Sequence, residues 1–243
     1  MELIVLGSGG GWARPGGAGC GYLLQADGFR LWVDLGSGTL ANLQRHVALD
    51  DVDAVVVSHR HFDHFLDLYS FYLARWYATD QPAIPLFAPP GLFEHAVQLE
   101  DDLPKAFRLT IVEPGGEFVA GPLRIRTAPM RHPVPTLGMR FEFNGQALAY
   151  SADTAPTDEL VRLARGADVL LAEATWIEVP AWGGDPVHMT ASQTGQVARQ
   201  AEVRQLVITH VWPTNPKETV EQRAAEAFGQ SVTLAVEGMR IAP

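Results

Sequence analysis

The stretch of sequence that decides the fold is Ser58-His59-Arg60-His61-Phe62-Asp63-His64, directly after an apolar run over residues 52–57. It places three imidazoles and one carboxylate within six positions. Imidazole nitrogen and carboxylate oxygen are ligands that suit Zn, Mn or Fe. Alternate residues of an extended stretch point the same way, so we expect His59 and His61 to chelate one ion. Asp63 and His64, past the bend, are expected to serve a second ion.

Further ligand candidates recur after predicted strands downstream. His132 follows strand 122–128, Asp153 follows strand 146–150, and His210 closes strand 206–210. A zinc ion needs about four ligands, and two ions need more than one turn supplies. A lone histidine or aspartate after a strand is usually a structural residue, a turn or a helix cap. Five histidines and two aspartates in matching contexts instead predict a two-metal site.

Length and composition predict one globular domain over residues 1–243 that is soluble. The chain is 47% hydrophobic and 19% charged, with no apolar run of transmembrane length, so we expect no membrane association. The start of the chain is typical of a first strand rather than of a signal peptide. The single cysteine, Cys20, cannot form an internal disulfide; we interpret it as a packing residue and expect a cytoplasmic protein. A net charge of −10 argues against a large polyanion as the partner.

Hydrophobic periodicity predicts strands through the middle of the chain and alternating strands and helices towards its end. Helices are predicted over residues 39–46, 65–78, 157–165, 190–201 and 216–227. Strands are predicted over residues 2–6, 20–26, 29–35, 53–57, 84–88, 108–113, 122–128, 138–143, 146–150, 168–173, 206–210 and 232–236. The Gly-rich residues 7–17 are expected to form a loop near the active site, because no helix follows them as a dinucleotide site requires. This pattern predicts an α/β (α+β) fold in four layers, an αββα sandwich with helices outside two sheets.

The order Asp, His-x-His-x-Asp-His, His, Asp and His, each at a strand end, resembles the metallo-β-lactamase superfamily. The resemblance runs from the loop at Gly7 to His210. It implies the metallo-β-lactamase fold and a hydrolase with two divalent metal ions, for which Zn²⁺ is expected and Mn²⁺ or Fe are alternatives. It assigns one ion to His59, His61 and His132, the other to Asp63, His64 and His210, and a bridging position to Asp153. Asp34 matches the family's early aspartate behind the metal ligands; the alternative is a turn residue at a strand end.

A narrower resemblance is to the ribonuclease Z-like branch of that superfamily. Its order is matched by Ala149-Tyr150-Ser151-Ala152-Asp153-Thr154, Glu173-Ala174-Thr175, His188-Met189-Thr190-Ala191 and Thr209-His210. In that branch a glutamate and a histidine beside the metals help to protonate the leaving group. The resemblance therefore implies catalytic roles for Glu173 and His188, alongside Asp63. Helix capping near Thr190 is the alternative role for His188.

The chain also departs from the tRNA-maturing members of the branch. Those enzymes carry a long arm between the third-motif histidine and the bridging aspartate, whereas only residues 133–152, one predicted hairpin, separate His132 from Asp153 here. His210 is followed by Val211-Trp212-Pro213 rather than by the usual continuation of the branch. Together with the acidic charge, these departures argue against tRNA as a partner.

Relatives without the arm include atypical bacterial cyclic-nucleotide phosphodiesterases. The Gly-rich opening, the turn at residues 34–38 and Asp67-Leu68 resemble that group. The expected function is hydrolysis of a small phosphodiester, above all a cyclic nucleotide, by hydroxide held on the metals. The alternatives are a ribonuclease Z-like RNA endonuclease or exonuclease and a non-catalytic protein that binds metal or nucleotide. Relatives in this branch are often dimers, so a homodimer is also expected.

Tryptophans lie in or beside the predicted active-site loops. An indole ring can stack on a nucleobase, and it can equally shield the rim of a site or fill a packing gap. Both roles are open for Trp12, Trp176, Trp182 and Trp212.

Overall fold

The computed structural model describes residues 1–79, 81–181 and 185–243. Its helices are α1 (Thr39–Leu43), α2 (Phe62–Phe65), α3 (Asp67–Ala78), α4 (Leu92–Ala96), α5 (Asp158–Ala164), α6 (Ala191–Gln200) and α7 (Lys217–Phe228). Its strands are β1 (Glu2–Gly7), β2 (Gly21–Ala26), β3 (Phe29–Leu35), β4 (Ala54–Val56), β5 (Ile84–Ala88), β6 (Phe107–Ile111), β7 (Glu117–Ala120), β8 (Leu123–Pro129), β9 (Leu137–Phe143), β10 (Gln146–Tyr150), β11 (Val169–Glu173), β12 (Gln205–Thr209), β13 (Thr233–Leu234) and β14 (Arg240–Ile241).

The strands form two seven-stranded mixed sheets. The first has the order β14-β1-β2-β3-β4-β5-β6 and the second has the order β13-β12-β11-β10-β9-β8-β7. In the first sheet β3 to β6 are parallel, and in the second β10 to β13 are parallel. The carboxyl ends of parallel strands share one edge of a sheet, so residues that follow them are brought together.

Apolar side chains fill three layers between these elements. Tyr22, Leu24 and Phe141 are among those that pack between the two sheets. Trp32 and Phe71 pack the first sheet against α3, while Leu206, Val220 and Phe228 pack the second sheet against α7. Neighbouring residues of one strand face opposite layers, as the period of two requires. The structure therefore confirms the αββα sandwich.

Two predicted hairpins are confirmed, with both turn residues in the left-handed region. The backbone φ angles are 49° and 81° at Asp27-Gly28 and 48° and 80° at Asn144-Gly145. These are the angles of a type I′ turn, which matches the twist of the flanking strands. Of residues 133–152, all described, β9 and β10 take up most and the Asn144-Gly145 turn joins them. No further strand or helix lies in that range.

Several short elements differ from the prediction. The helix predicted at 65–78 is preceded by a separate turn, α2, and the helix predicted at 39–46 ends at Leu43. Helix α4 and strands β7 and β14 were not predicted, and the strand predicted at 232–236 shrinks to Thr233–Leu234. Elements of two to five residues are too short to show a hydrophobic periodicity in the sequence. Hydrogen bonds formed in the folded structure stabilise them.

Within the described ranges, the structure contains no helix with both the length and the apolar character needed to cross a membrane.

Candidate metal centre

The seven predicted ligands lie together where the carboxyl edges of the two sheets meet. Ring nitrogens and carboxylate oxygens of the first group lie within 4.8 Å of one another, and the same limit holds for the second group. The first group is His59, His61, His132 and Asp153; the second is Asp63, His64, His210 and Asp153. Asp153 belongs to both groups, as a bridging ligand must.

Strand ends and one helical turn position these side chains. His61 is extended, with φ −79° and ψ 142°, and α2 begins at the next residue, so Asp63 and His64 turn away from it. Asp34 and His210 adopt positive φ angles of 54° and 50°, and so does Ala152, immediately before Asp153, at 50°. A left-handed backbone is costly for residues other than glycine, and such strain is typical of sites that the surrounding fold holds in place.

The histidines present one ring nitrogen to the cluster and hydrogen-bond through the other. Nδ1 of His64 lies 2.8 Å from Asp34 Oδ2, and Nδ1 of His132 lies 3.0 Å from the carbonyl oxygen of Val187. These contacts place the proton on Nδ1 and leave Nε2 as the ligand atom. His61 is turned the other way, because its Nδ1 lies 2.9 Å from His132 Nε2.

Two buried polar atoms at the centre of the cluster have no hydrogen-bond partner within residues 1–79, 81–181 and 185–243. They are Nε2 of His64 and Oδ1 of Asp153, which lie 3.3 Å apart without the alignment of a hydrogen bond. Burying a polar atom without a partner is costly, so such a pair calls for a bound group. A cation coordinated by both atoms meets this need.

The electrostatics of the cluster also fit cations. Burial alone would lower the pKa of His64, but the carboxylates of Asp153, Asp63 and Asp34 raise it well above its usual range. The same carboxylates would stabilise a metal ion at Nε2 in place of that second proton. Burial lowers the pKa of His59 well below its usual range and that of His132 to about 4, so both imidazoles are neutral, as ligands must be. The donor set therefore fits two divalent metal ions.

The Gly-rich loop reaches the cluster, as expected for residues 7–17. The backbone N–H of Gly11 donates to Asp63 Oδ2 at 2.9 Å. A Cβ atom on Gly10 would lie 2.7 Å from His210 Nδ1, which is closer than real contacts allow. Glycine at position 10 is therefore what lets the loop pack against His210.

Asp34 lies behind the cluster and is fully buried. It accepts hydrogen bonds from the backbone N–H of Ser58 at 2.7 Å and from Ser58 Oγ, His64 Nδ1 and Tyr150 OH, each at 2.8 Å. A residue that only formed a turn would not need four such donors. Its place behind His64 is the one that the family resemblance implies.

Glu173 and His188 form a pair at the side of the cluster. Nδ1 of His188 lies 3.0 Å from Glu173 Oε1, and the ring centre of His188 lies 5.3 Å from that of His132. Burial lowers the pKa of His188, but the Glu173 carboxylate outweighs this and raises it to about 9. The capping alternative for His188 is wrong, because Thr190 itself caps α6 in a capping box with Gln193.

The four tryptophans occupy different places. Trp12 is 47% exposed and its ring centre lies 5.7 Å from that of Trp212, so these two form a pair at the rim. Trp176 is buried and packs edge-on against His188, with ring centres 5.2 Å apart. Trp182 lies outside the described residues. Base stacking is therefore open to the exposed ring of Trp12 but not to the buried ring of Trp176.

Sequence reasoning missed three hydroxyl groups that support the site. They belong to Ser58, Tyr150 and Thr175, all buried. Ser58 directly precedes His59, and Thr175 lies two residues beyond Glu173, on the same side of an extended chain. That spacing was a usable signal, although it could not show which atoms the hydroxyls contact. Cys20 is buried as expected, and burial raises the pKa of its thiol to about 12, so it stays protonated.

A fold of two sheets with helices outside, and a buried His/Asp cluster able to bind metal ions at their common edge, defines a metallo-hydrolase of the metallo-β-lactamase type. Comparison with known proteins agrees. A sequence profile described as the beta-lactamase superfamily domain matches residues 30–211. This chain belongs to the metallo-β-lactamase superfamily.

Individual relatives cover almost the whole chain. The uncharacterized protein Rv1339 of Mycobacterium tuberculosis is 34% identical over 247 residues, 97% of this chain and 90% of that protein. Ribonuclease Z of Mycobacterium bovis is 31% identical over 264 residues, covering 93% of this chain and 92% of that enzyme. The crystal structure of the metallo-beta-lactamase fold protein YhfI from Bacillus subtilis superposes with a TM-score of 0.89 at 26% identity, covering 99% and 98% of the two chains.

Proposed function

We propose that this protein is a dinuclear metal-dependent phosphodiesterase and that its substrate is a small phosphodiester, above all a cyclic nucleotide. The observation that supports the proposal is the Glu173–His188 pair, whose imidazole would donate a proton beside the two groups of proposed metal ligands. A phosphodiester with a poor leaving group needs such a donor. A β-lactam needs it much less.

The seven residues of the cluster would hold the two ions, with Asp153 shared between them. Divalent ions bound there supply Lewis-acid chemistry, which activates water and stabilises negative charge on phosphate oxygens. Two such ions would outweigh the charge of the two carboxylates and leave the centre positive. A single phosphate can then be attracted into the site of a chain whose net charge is −10.

His188 is suited to give a proton to the departing alkoxide. Its Nδ1 is held by Glu173 Oε1, which fixes the plane of the ring. The Glu173 carboxylate outweighs burial and raises the pKa of the imidazole to about 9, which favours the form that carries both protons. Nε2 has no hydrogen-bond partner among the described residues, so its proton is available to a substrate. The leaving group of a 3′,5′-cyclic phosphodiester is a ribose oxygen of high pKa, for which general acid catalysis contributes on the order of 10²–10⁴-fold.

The surroundings of the site support a small substrate. The segment between His132 and Asp153 adds no arm to the β9–β10 hairpin, and the acidic charge disfavours long polyanions. The rim carries Trp12, which packs against Trp212 and whose exposed ring offers an aromatic face to one base.

An RNA 3′-end endonuclease or exonuclease is the second candidate. It is favoured by the 31% identity to a protein named ribonuclease Z. Enzymes of both kinds cleave phosphodiesters, and they differ in the size of the substrate that they accept.

The test is a substrate panel with purified protein loaded with Zn²⁺ or Mn²⁺. We expect hydrolysis of bis(p-nitrophenyl) phosphate and of 3′,5′-cAMP, with cAMP turned over faster than a short RNA. Asp153→Ala protein treated in the same way is the inactive control. Faster cleavage of RNA would favour the second candidate. Full metal loading without hydrolysis of any compound would show a non-catalytic metal-binding protein.

A further inference from the structure

Two buried carboxylates flank the cluster, and each contacts one histidine directly and a second one through a hydroxyl group. On the first side, Asp34 Oδ2 lies 2.8 Å from His64 Nδ1 and 2.8 Å from Ser58 Oγ. The same Ser58 Oγ lies 3.0 Å from Nδ1 of His59. Asp34 thus reaches His59 through Ser58.

The second side repeats this arrangement with different residues. Glu173 Oε1 lies 3.0 Å from His188 Nδ1, and Glu173 Oε2 lies 2.6 Å from Thr175 Oγ1. Thr175 Oγ1 in turn lies 2.8 Å from Nδ1 of His210. Glu173 thus reaches His210 through Thr175.

The direction of these hydrogen bonds follows from the carboxylates. An ionised carboxylate only accepts, and Glu173 also accepts from the backbone N–H groups of Thr154 at 2.6 Å and Met189 at 3.2 Å. The hydroxyl proton of Thr175 is therefore donated to Glu173. Its oxygen then accepts from Nδ1–H of His210, and the same argument makes Ser58 Oγ accept from Nδ1–H of His59.

This direction fixes which nitrogen is free to bind a metal. With the proton on Nδ1, Nε2 of His210 turns a lone pair towards Asp63 Oδ2 at 3.2 Å and Asp153 Oδ1 at 3.4 Å. Nε2 of His59 likewise faces Asp153 Oδ2 at 3.6 Å. Acceptors this close repel one another unless a cation lies between them. The two hydroxyl groups thus leave Nε2 of His210 and Nε2 of His59 unprotonated and able to bind cations.

We propose that Ser58 and Thr175 are positioning residues of the metal centre. Each hydroxyl group donates a hydrogen bond to one buried carboxylate and accepts one from a second histidine. It thereby orients that histidine and keeps its proton on Nδ1. Thr175 would strengthen binding of the ion that His210 holds, and Ser58 would strengthen binding of the ion that His59 holds. This inference rests on the metal-binding part of the proposed function and not on the substrate.

The test compares hydroxyl-free and hydroxyl-keeping variants by their zinc affinity, measured with a competing chelator. Thr175→Val keeps the size of the side chain and removes the hydroxyl, whereas Thr175→Ser keeps the hydroxyl. Loss of an outer hydrogen bond typically weakens metal binding by about 10–100-fold, so Thr175→Val should weaken one of the two ions by that factor. Thr175→Ser should restore wild-type affinity. Ser58→Ala should weaken the other ion.

A matched control is Thr194→Val. Thr194 is also fully buried and its hydroxyl donates to the backbone carbonyl of Glu173 at 2.6 Å, but it contacts no proposed ligand. Its loss should lower stability and leave both zinc affinities unchanged.

A second readout is the NMR signal of the ring N–H groups in zinc-loaded protein with ¹⁵N-labelled histidine. In the wild type, Nδ1–H of His210 should exchange slowly with water, and this protection should be lost in Thr175→Val and kept in Thr175→Ser. Wild-type zinc affinity and protection in Thr175→Val would overturn the proposal. If Thr175→Val does not fold, Ser58→Ala decides the question at the other ion. Normal zinc results in a protein without phosphodiesterase activity would instead contradict only the proposed function.

Discussion

Buried carboxylates fix the ring orientation and the proton position of histidines in this site. Glu173 is almost fully buried and accepts hydrogen bonds from His188, from the hydroxyl group of Thr175 and from three backbone N–H groups, those of Thr154, Thr175 and Met189. A buried charge persists only where such donors replace water. Glu173 lies between the proposed proton donor, His188, and a proposed metal ligand, His210. Both proposed functions of the site therefore depend on this one carboxylate.

His188→Ala should separate proton donation from metal binding. We expect both ions to stay bound, because His188 is not one of the seven proposed ligands, although its ring nitrogen lies within 4.8 Å of ligand atoms of Glu173 and His210. Hydrolysis of cAMP should fall by about 10²–10⁴-fold, whereas bis(p-nitrophenyl) phosphate, whose leaving group needs no proton, should lose less than about 10-fold. Steady-state rates on both substrates, with metal analysis of the variant, check this.

His46→Ala is the control, because His46 lies outside both ligand groups. Loss of zinc from His188→Ala would contradict its role as a proton donor, and an equal loss of rate on the two substrates would do so as well.

The proposed ligands could be predicted from sequence because each follows a strand whose pattern is clear. His132, Asp153 and His210 follow β8, β10 and β12, and the shared carboxyl edge brings them together. The hydroxyls of Ser58 and Thr175 could not be assigned, because serine and threonine occur throughout a chain and only the folded structure shows their partners. The short elements α4 and β7 were missed for the related reason that tertiary contacts define them.

At the level of elements, the Gly-rich loop is a packed part of the site. Gly10→Ala should displace it, because the new Cβ would lie 2.7 Å from both Nδ1 and the carbonyl oxygen of His210. The loop also carries the N–H of Gly11, which donates to Asp63. We therefore expect zinc affinity to fall by about 10-fold or more, as for other outer hydrogen bonds, in a chelator competition.

Gly16→Ala is the matched control in the same loop. Its Cβ would meet no atom within 4 Å, although its φ of 73° disfavours a side chain. It should cost about 1–2 kcal/mol of stability and leave zinc affinity unchanged. Equal zinc affinity in Gly10→Ala and the wild type would show that the loop does not support the metal ligands.

At the scale of the whole molecule, the proposed metals would join the two sheets. His59, His61, Asp63 and His64 follow β4 of the first sheet, whereas His132, Asp153 and His210 follow strands of the second. Asp34 and Tyr150 form a direct hydrogen bond between the same two sheets. Metal binding and the packing of the sandwich should therefore be coupled.

Removal of metal should lower the melting temperature. A ligand that binds only the folded state stabilises it by about 4 kcal/mol at a thousand times its Kd. For a chain of this size, each kcal/mol corresponds to roughly 2–4 °C, so a chelator should lower Tm by about 10 °C or more. Differential scanning calorimetry with and without chelator measures this. Asp153→Ala protein should show little response, and an unchanged Tm in the wild type would indicate that no metal links the sheets.

Two bound metal ions should make this protein a phosphodiesterase. The most direct measurement is a titration of metal-free protein with Zn²⁺ while hydrolysis of cAMP is followed. We predict that the rate rises until two equivalents of zinc per chain are bound and then stays constant, and that Asp153→Ala shows no such rise. A plateau at one equivalent, or full binding of zinc without any hydrolysis of cAMP, would contradict it.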